Sequence, residues 1–312
     1  MGEYHYLISS LPDIEFNGSN PPYTCLEFKD ILAEYLTKAD ARLLEIFLLD
    51  IDNKNLLEQL KHPDFDSIDG GMFTADELLA LVTEVQIELD GKKKEKNSEY
   101  NDIHKREIIR ITNKKKRLPA YFKSFSRVYL DSVRHDEEII IPWEDRLTAL
   151  YYEYAMKSSN EFIVSWFELN QNINNIFTAL TCRKYKLDRE KYIVGKTEIS
   201  NKLRSSNAYD FELEDTLVNL LPCVFQIAED ADFQQRKWKT DFLKWEWLDE
   251  QVFVKVFDVD SVLTYWLKLG MLEYWSGLNK GDGEKAFRQL MDSMINSSVH
   301  SLEEFKRNFT KI

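Results

Sequence analysis

Residues 257–268 read Phe-Asp-Val-Asp-Ser-Val-Leu-Thr-Tyr-Trp-Leu-Lys, and their pattern occurs three times in the chain. In each copy an apolar residue and an acid precede an apolar residue with Asp or Asn, and apolar residues at helical spacing follow. Short polar acceptors cap free amide groups at helix N-termini, where negative charge also meets the positive end of the helix dipole. The sequence therefore predicts a helix start at each copy. The predicted start positions are Asp50, Asp52, Glu168, Asn170, Asp258 and Asp260.

The spacing of the copies indicates a true internal repeat. A second helix is expected 24 to 29 residues after the first acid of each copy, with caps at Thr74, Thr197 and Asp282. The copies lie 118 and 90 residues apart, and the difference of 28 residues equals the length of a lysine-rich stretch at 91–118. Such periodicity is typical of stacked helical units that bury their apolar faces against each other.

We therefore expect a single all-α domain over 1–312, built of three pseudo-symmetric repeats in a funnel-like bundle. The repeats are predicted at about 24–90, 119–206 and 211–297, with the insert at about 91–118. Composition agrees, because only 10 Gly and 7 Pro leave few turn formers for a protein rich in hairpins.

Charge and composition limit the class of protein. A net charge of −13 argues against nucleic acid as a partner of the whole surface. No apolar run approaches the roughly 18 residues of a transmembrane helix, and the first residues lack a secretory signal. Three scattered cysteines fit a reducing cytoplasm better than a disulfide framework or a zinc site.

Local signals place most of the helices. Thr24 with Glu27 and Thr74 with Glu77 form capping boxes. Pro222 is expected to kink a helix that spans 213–227. The other predicted helical stretches are 24–36, 41–49, 74–85, 121–135, 143–156, 162–167, 233–248 and a last short helix capped by Ser301 with Glu304.

Two features leave a structural and a functional interpretation open. The basic clusters of the 91–118 insert are typical of a solvated loop, and the alternative is a nucleic-acid patch or nuclear signal. The stretch 238–247 places large rings on one helix face, which favours a core position, with a partner-binding face as the alternative. The candidate partner-binding residues are Trp238, Phe242, Trp245 and Trp247.

Motifs of known chemistry are incomplete in this chain. The Asp-x-Asp pairs belong to the repeat, where helix capping explains them better than a divalent cation does. The Gly195-Lys196-Thr197 tripeptide lacks the first glycine of a phosphate-binding loop. The five histidines never fall at i, i+3 or i, i+4. We therefore expect no catalytic residue, no cofactor and no metal site.

The last repeat and the N-terminus resemble a known family. Residues 257–268, Glu273, a Gly-rich turn at 277–283 and the stretch 286–290 (Ala-Phe-Arg-Gln-Leu) resemble the last repeat of the C-type subunit of V/A-type rotary ATPases, called d in the eukaryotic pump. Residues 4–12 are similar to an uncharacterised bacterial family encoded among V/A-type ATPase subunits. The chain departs from the C-type pattern after Glu273, where Tyr-Trp-Ser replaces the usual basic residues.

The resemblance implies a helical funnel that sits on the membrane rotor ring and receives the foot of the central stalk. Its expected function is mechanical coupling without catalysis, with central-stalk subunits and the rotor ring as partners. The expected location is cytoplasmic, peripheral to the inner membrane. The alternatives are an all-helical enzyme whose acids meet only in the folded chain, and an adaptor that uses the aromatic face.

Overall fold

A computed structural model describes residues 4–16, 20–62, 65–91, 118–136, 141–213, 217, 220–253 and 255–279. Within these ranges the chain forms helices and no strand, which confirms the all-α prediction. The helices are α1 (His5–Ser10), α2 (Cys25–Tyr35), α3 (Lys38–Lys61), α4 (Ala75–Gly91), α5 (Ala120–His135), α6 (Trp143–Ala155), α7 (Glu161–Tyr185), α8 (Arg189–Tyr192), α9 (Glu198–Ser205), α10 (Leu220–Ala228), α11 (Phe233–Val252) and α12 (Val259–Asn279). Residues 92–117 of the predicted insert at about 91–118, the cap at Asp282 and the helix at Ser301 lie outside the described residues.

Three helix starts follow the predicted caps. Thr24 and Glu27 form a complete capping box ahead of α2. Ahead of α4 the Thr74 amide donates to Glu77 Oε2 at 2.9 Å, and the Glu77 amide donates back to Thr74 Oγ1 at 3.3 Å. The Thr197 side chain accepts the third amide of α9. The structure confirms these three predictions. The sequence was sufficient because a cap depends only on residues within one turn.

The prediction of a helix start at each repeat is wrong for two copies. Asp50 and Asp52 lie inside α3, and Glu168 and Asn170 lie inside α7. Only the third copy begins a helix, where Asp258 Oδ1 accepts the Ser261 amide at 3.2 Å, and Asp260 lies in the first turn of α12.

The two long helices begin at caps further upstream. Thr37 Oγ1 accepts the Asp40 amide at 3.2 Å at the start of α3. Asn160 Oδ1 accepts the Ile163 amide at 2.9 Å at the start of α7. A capping residue type inside a helix costs only a few tenths of a kcal/mol, so packing of the whole helix overrides it.

Pro222 lies in α10, whose described residues are Leu220–Ala228. The Leu217 amide donates to the Leu213 carbonyl oxygen at 2.8 Å, and the Leu221 amide donates to the Leu217 carbonyl oxygen at 2.9 Å. Residues 214–216 and 218–219 of the predicted helix over 213–227 lie outside the described residues, so the kink at Pro222 stays a prediction.

The chain divides into two compact units. The first comprises Met1–Ala41, Ile173–Arg189 and Thr197–Ile312, and the second comprises Arg42–Asn172 and Glu190–Lys196. In the first unit α10 packs on α11, α11 on α12, and α12 on α2. In the second unit α4 packs on α5, and α5 on α6. The three-repeat organisation of a single domain stays a prediction.

Gly195 and Gly277 are a matched pair for substitution by alanine. Gly195 has a φ of +84°, and an added Cβ would lie 2.6 Å from Gln171 Nε2. We expect Gly195→Ala to lower the free energy of unfolding by about 1–3 kcal/mol, because the left-handed backbone and the clash act together. Gly277 lies in α12 with open space around it, so Gly277→Ala is expected to raise that free energy by about 0.5 kcal/mol.

Urea unfolding followed by circular dichroism measures both effects. A Gly195→Ala protein as stable as the wild type would show that the backbone of the 190–196 segment is not held as described.

Candidate functional site

An aromatic cluster forms the core between α11 and α12. Phe16 lies at its centre, with ring centroids 5.3 Å from Trp238, 5.5 Å from Phe242 and 5.4 Å from Trp245, all in edge-on contact. Trp238 and Phe242 stack with an interplanar angle of 2°. Edge-on and offset ring pairs each contribute about 0.5–1.5 kcal/mol beyond the burial of area. The remaining members are Leu272, Trp275, Ile14 and Met271.

This geometry decides between the two interpretations of the aromatic face. Trp238 is 1% exposed and Trp245 is 6% exposed, so the partner-binding interpretation is wrong for these two residues. Phe242 is partly buried against the same cluster, and Trp247 is half-buried. The face is core because α12 and Phe16 cover it within the first unit.

An ionic network crosses from α11 to α12 beside these rings. The Asp241 carboxylate is buried, forms an ion pair with the Lys237 ammonium, and accepts the Trp275 indole N–H at 3.1 Å. Burial lowers the pKa of Lys244 to about 8, although Asp241 acts in the opposite direction. Losing the Lys237 ammonium would leave the buried Asp241 carboxylate without its counter-charge, which is costly.

A second set of polar contacts between α11 and α12 lies closer to the end of α11. Lys268 of α12 is buried, forms an ion pair with Asp249, and places its ammonium 4.4 Å from the centroid of the Trp245 ring. Burial lowers the pKa of Lys268, and the hydrogen bond to Asp249 opposes this shift. The Trp275–Asp241 hydrogen bond and the Lys268–Asp249 ion pair each join α11 to α12, and together they hold the two helices in one register.

The repeat positions share one property that their spacing did not reveal. The second polar residue of each copy is buried: Asp52 is 0% exposed, Asn170 is 7% and Asp260 is 4%. The first acid of each copy is less buried: Asp50 is exposed, and Glu168 and Asp258 are half-buried. The repeated pattern therefore marks an inward-facing polar position on each long helix.

Asp52 fixes the loop ahead of α4. Its two carboxylate oxygens accept the Met72 amide at 3.0 and 2.9 Å, and Oδ1 also accepts the Phe73 amide at 3.0 Å. Gly71 packs directly against this carboxylate, since an added Cβ would lie 2.3 Å from Asp52 Oδ1. A side chain at position 71 would thus displace the group that orders the loop.

The second copy shares only the glycine contact of this arrangement. Asn170 donates from its amide nitrogen to the Trp166 carbonyl oxygen at 2.7 Å, one turn back along α7. The next residue, Gln171, is buried and lies against Gly195. In both copies a glycine two or three residues before the capping threonine of the second helix contacts a buried polar side chain of the long helix.

Asp260 of the third copy forms an ion pair with Lys255 at 2.9 Å. The expected continuation of this copy, from Asp282 onward, lies outside the described residues.

The described residues hold no group of three or more His, Cys, Asp or Glu side chains placed to bind a metal ion. None of the helices in the described ranges has the length and apolar character needed to cross a membrane. Cys25, Cys182 and Cys223 are free cysteines. Burial, reinforced by Glu273, raises the pKa of the Cys25 thiol, so this residue is a poor nucleophile.

Phe16, Lys237 and Asp241 are members of the aromatic and ionic cluster that the sequence did not predict. Phe16 precedes α2 in a turn-rich stretch, and no periodicity connects it to α11. Lys237 and Asp241 stand at i, i+4 on α11, which is a usable local signal for an ion pair. Their contact with Trp275 depends on the packing of α12 and has no sequence signature.

Comparison with known proteins places the chain in one family. No curated protein and no solved structure matches it. One family profile matches residues 1–95 and 86–298, and the two segments overlap at 86–95, where the lysine-rich insert begins. The chain therefore belongs to the family described as "Protein of unknown function (DUF2764)".

Proposed function

We propose that the chain is a non-catalytic rotor subunit of a V/A-type ATPase or ATP synthase that couples the central stalk to the membrane rotor ring. The proposal starts from the resemblance of residues 257–290 to the C-type subunit. It is carried by one observation: the three copies of the pattern lie on α3, α7 and α12, and each buries its second polar residue.

The lengths of these helices, and the contacts that hold α12 against α11, suit a mechanical part. Helices α3, α7 and α12 contain 24, 25 and 21 residues, which corresponds to about 31–38 Å at about 1.5 Å per residue. A coupling subunit has to transmit torque without deforming, and long helices joined by buried polar contacts resist bending and sliding. The network between α11 and α12 supplies such contacts.

The proposal includes an assignment of partners and place. The chain would contact central-stalk subunits and the rotor ring on the cytoplasmic side, peripheral to the inner membrane. No cofactor and no metal ion takes part, because the coupling is a transfer of mechanical work between proteins.

Purification from membranes tests the assembly. The tagged chain is isolated from gently solubilised membranes, and its companions are quantified by mass spectrometry. We expect stalk and ring subunits of a V/A-type ATPase in comparable amounts, and none with a similarly tagged protein of unrelated function. Preparations that contain the tagged chain and no ATPase subunit would refute the proposal.

Deletion of the gene tests the coupling. We expect membrane vesicles from the deletion strain to lose ATP-driven ion uptake, while the catalytic sector still hydrolyses ATP. Expression of the wild-type chain should restore uptake. Vesicles that pump ions normally without the chain would contradict a coupling function.

A further inference from the structure

The side chain of Lys244 starts from a buried face of α11. Thr240 and Leu248, one turn before and one turn after it, are 7% and 0% exposed, and residues at i and i+4 share a helix face. Lys244 itself is half-buried. The protein therefore covers much of this residue, while part of it still reaches the solvent, as is usual for a long side chain with a charged end.

The Lys244 ammonium has no partner of its own among the described residues, with which it forms neither a hydrogen bond nor an ion pair. Asp241, one turn earlier, is the acid that acts on it. That carboxylate already forms an ion pair with Lys237 and accepts the Trp275 indole N–H. Lysines that are withdrawn from water are normally paired, so an unpaired ammonium on this face is an exception.

The charged groups on the elements that pack against α11 are exposed or bound to other partners. On α12, Lys268 pairs with Asp249, Asp260 pairs with Lys255, and Glu273 accepts the Cys25 amide. Helix α10 contains no charged residue. Near Phe16, the acids Asp13 and Glu15 are exposed. These contacts leave Asp241 and Lys237 as the charged groups that act on the Lys244 amine.

This environment keeps part of the Lys244 amine uncharged near neutral pH. Burial lowers the pKa of Lys244 to about 8, while Asp241 opposes this shift and Lys237 adds to it. At about pH 7.5 roughly one quarter of such an amine is uncharged, against about 0.1% of an ordinary lysine with a pKa of about 10.4. The uncharged amine is the nucleophile in the covalent chemistry of lysine.

We propose that Lys244 is a site of covalent acylation, at which its ε-amine attacks the carbonyl carbon of a small acyl phosphate. A bond forms between Nζ and that carbon, the bond from the carbon to the phosphate oxygen breaks, and inorganic phosphate leaves with the electron pair. The proton of the amine passes to water. A small acyl group suits a side chain that is only partly exposed. The product is an uncharged amide, and its formation breaks no ion pair of Lys244.

Competitive acetylation of the intact, folded chain tests the site. The protein is treated with limiting acetyl phosphate near neutral pH, and initial rates at individual lysines are measured by peptide mass spectrometry. Lys237, which is paired with Asp241 on the same helix, and the exposed Lys196 are internal controls. We expect Lys244 to be acetylated at least about tenfold faster than either control. Equal or slower acetylation of Lys244 would overturn the inference.

A pH profile and a denatured control separate an activated amine from a merely accessible one. We expect the rate at Lys244 to level off once the pH exceeds its pKa of about 8, whereas the rate at an ordinary lysine rises until about pH 10.4. In urea that unfolds the chain the preference for Lys244 should disappear, because the burial that lowers its pKa is lost. A preference that persists in urea, or a rate at Lys244 that does not level off, would show that the fold does not activate this amine and would equally overturn the inference. The inference does not depend on the proposed function, and its test needs only the purified chain.

Discussion

Replacement of Trp238 by alanine is expected to lower the free energy of unfolding by about 3–5 kcal/mol, the usual range for a large aromatic removed from a core. Trp238 is 1% exposed, stacks on Phe242, and contacts Phe16 edge-on. Its removal would open a cavity that these rings can only partly refill. The effect should be measured by urea unfolding followed by circular dichroism.

Trp247 provides the control for this prediction. It lies on the same helix and is half-buried, so Trp247→Ala is expected to cost about 1 kcal/mol, a typical value for a site outside the core. Equal losses for the two variants would show that the aromatic cluster is not packed as described. A Trp238→Ala protein with wild-type stability would contradict the core assignment outright.

Replacement of Asp52 by alanine is expected to lower the free energy of unfolding by about 3 kcal/mol. The carboxylate is fully buried and accepts the amides of Met72 and Phe73. Without it, two partly buried N–H groups lose their charged acceptor, and a buried group left without a partner costs about 1–3 kcal/mol. The loop that leads into α4 would lose its anchor on α3.

The neighbouring Asp50→Ala variant is the matched control. Asp50 is exposed and its ion pair is with Lys54 at i, i+4 on α3, so its loss should cost less than about 0.5 kcal/mol. Hydrogen exchange of the Met72 and Phe73 amides offers a second readout. We expect faster exchange in Asp52→Ala and unchanged exchange in Asp50→Ala, and the reverse order would disprove the assigned contacts.

The sequence predicts most helices correctly because their start signals are local. The capping box of Thr24 and Glu27 needs only the residues of one turn, and α2 begins where the box predicts. The same holds for Thr74 and for Thr197.

The acids of the repeat show where local reasoning fails. Asp52 has the side chain of a good helix cap, and its acceptors do bind backbone amides. Those amides belong to a loop about 20 residues further along the chain, and not to the start of its own helix. Sequence spacing identifies such a position as special without identifying its partner.

The candidate sites depend even more on distant contacts. Helical periodicity places Trp238 and Trp245 on one face of α11, but only the packing of Phe16 and α12 shows that this face is core.

Electron cryomicroscopy of intact V/A-type ATPase particles, purified through a tag on another subunit, tests the central claim most directly. We predict density between the rotor ring and the central stalk that fits α3, α7 and α12 of this chain. Particles with a complete, coupled rotor whose connecting density is occupied by a different protein would contradict the account.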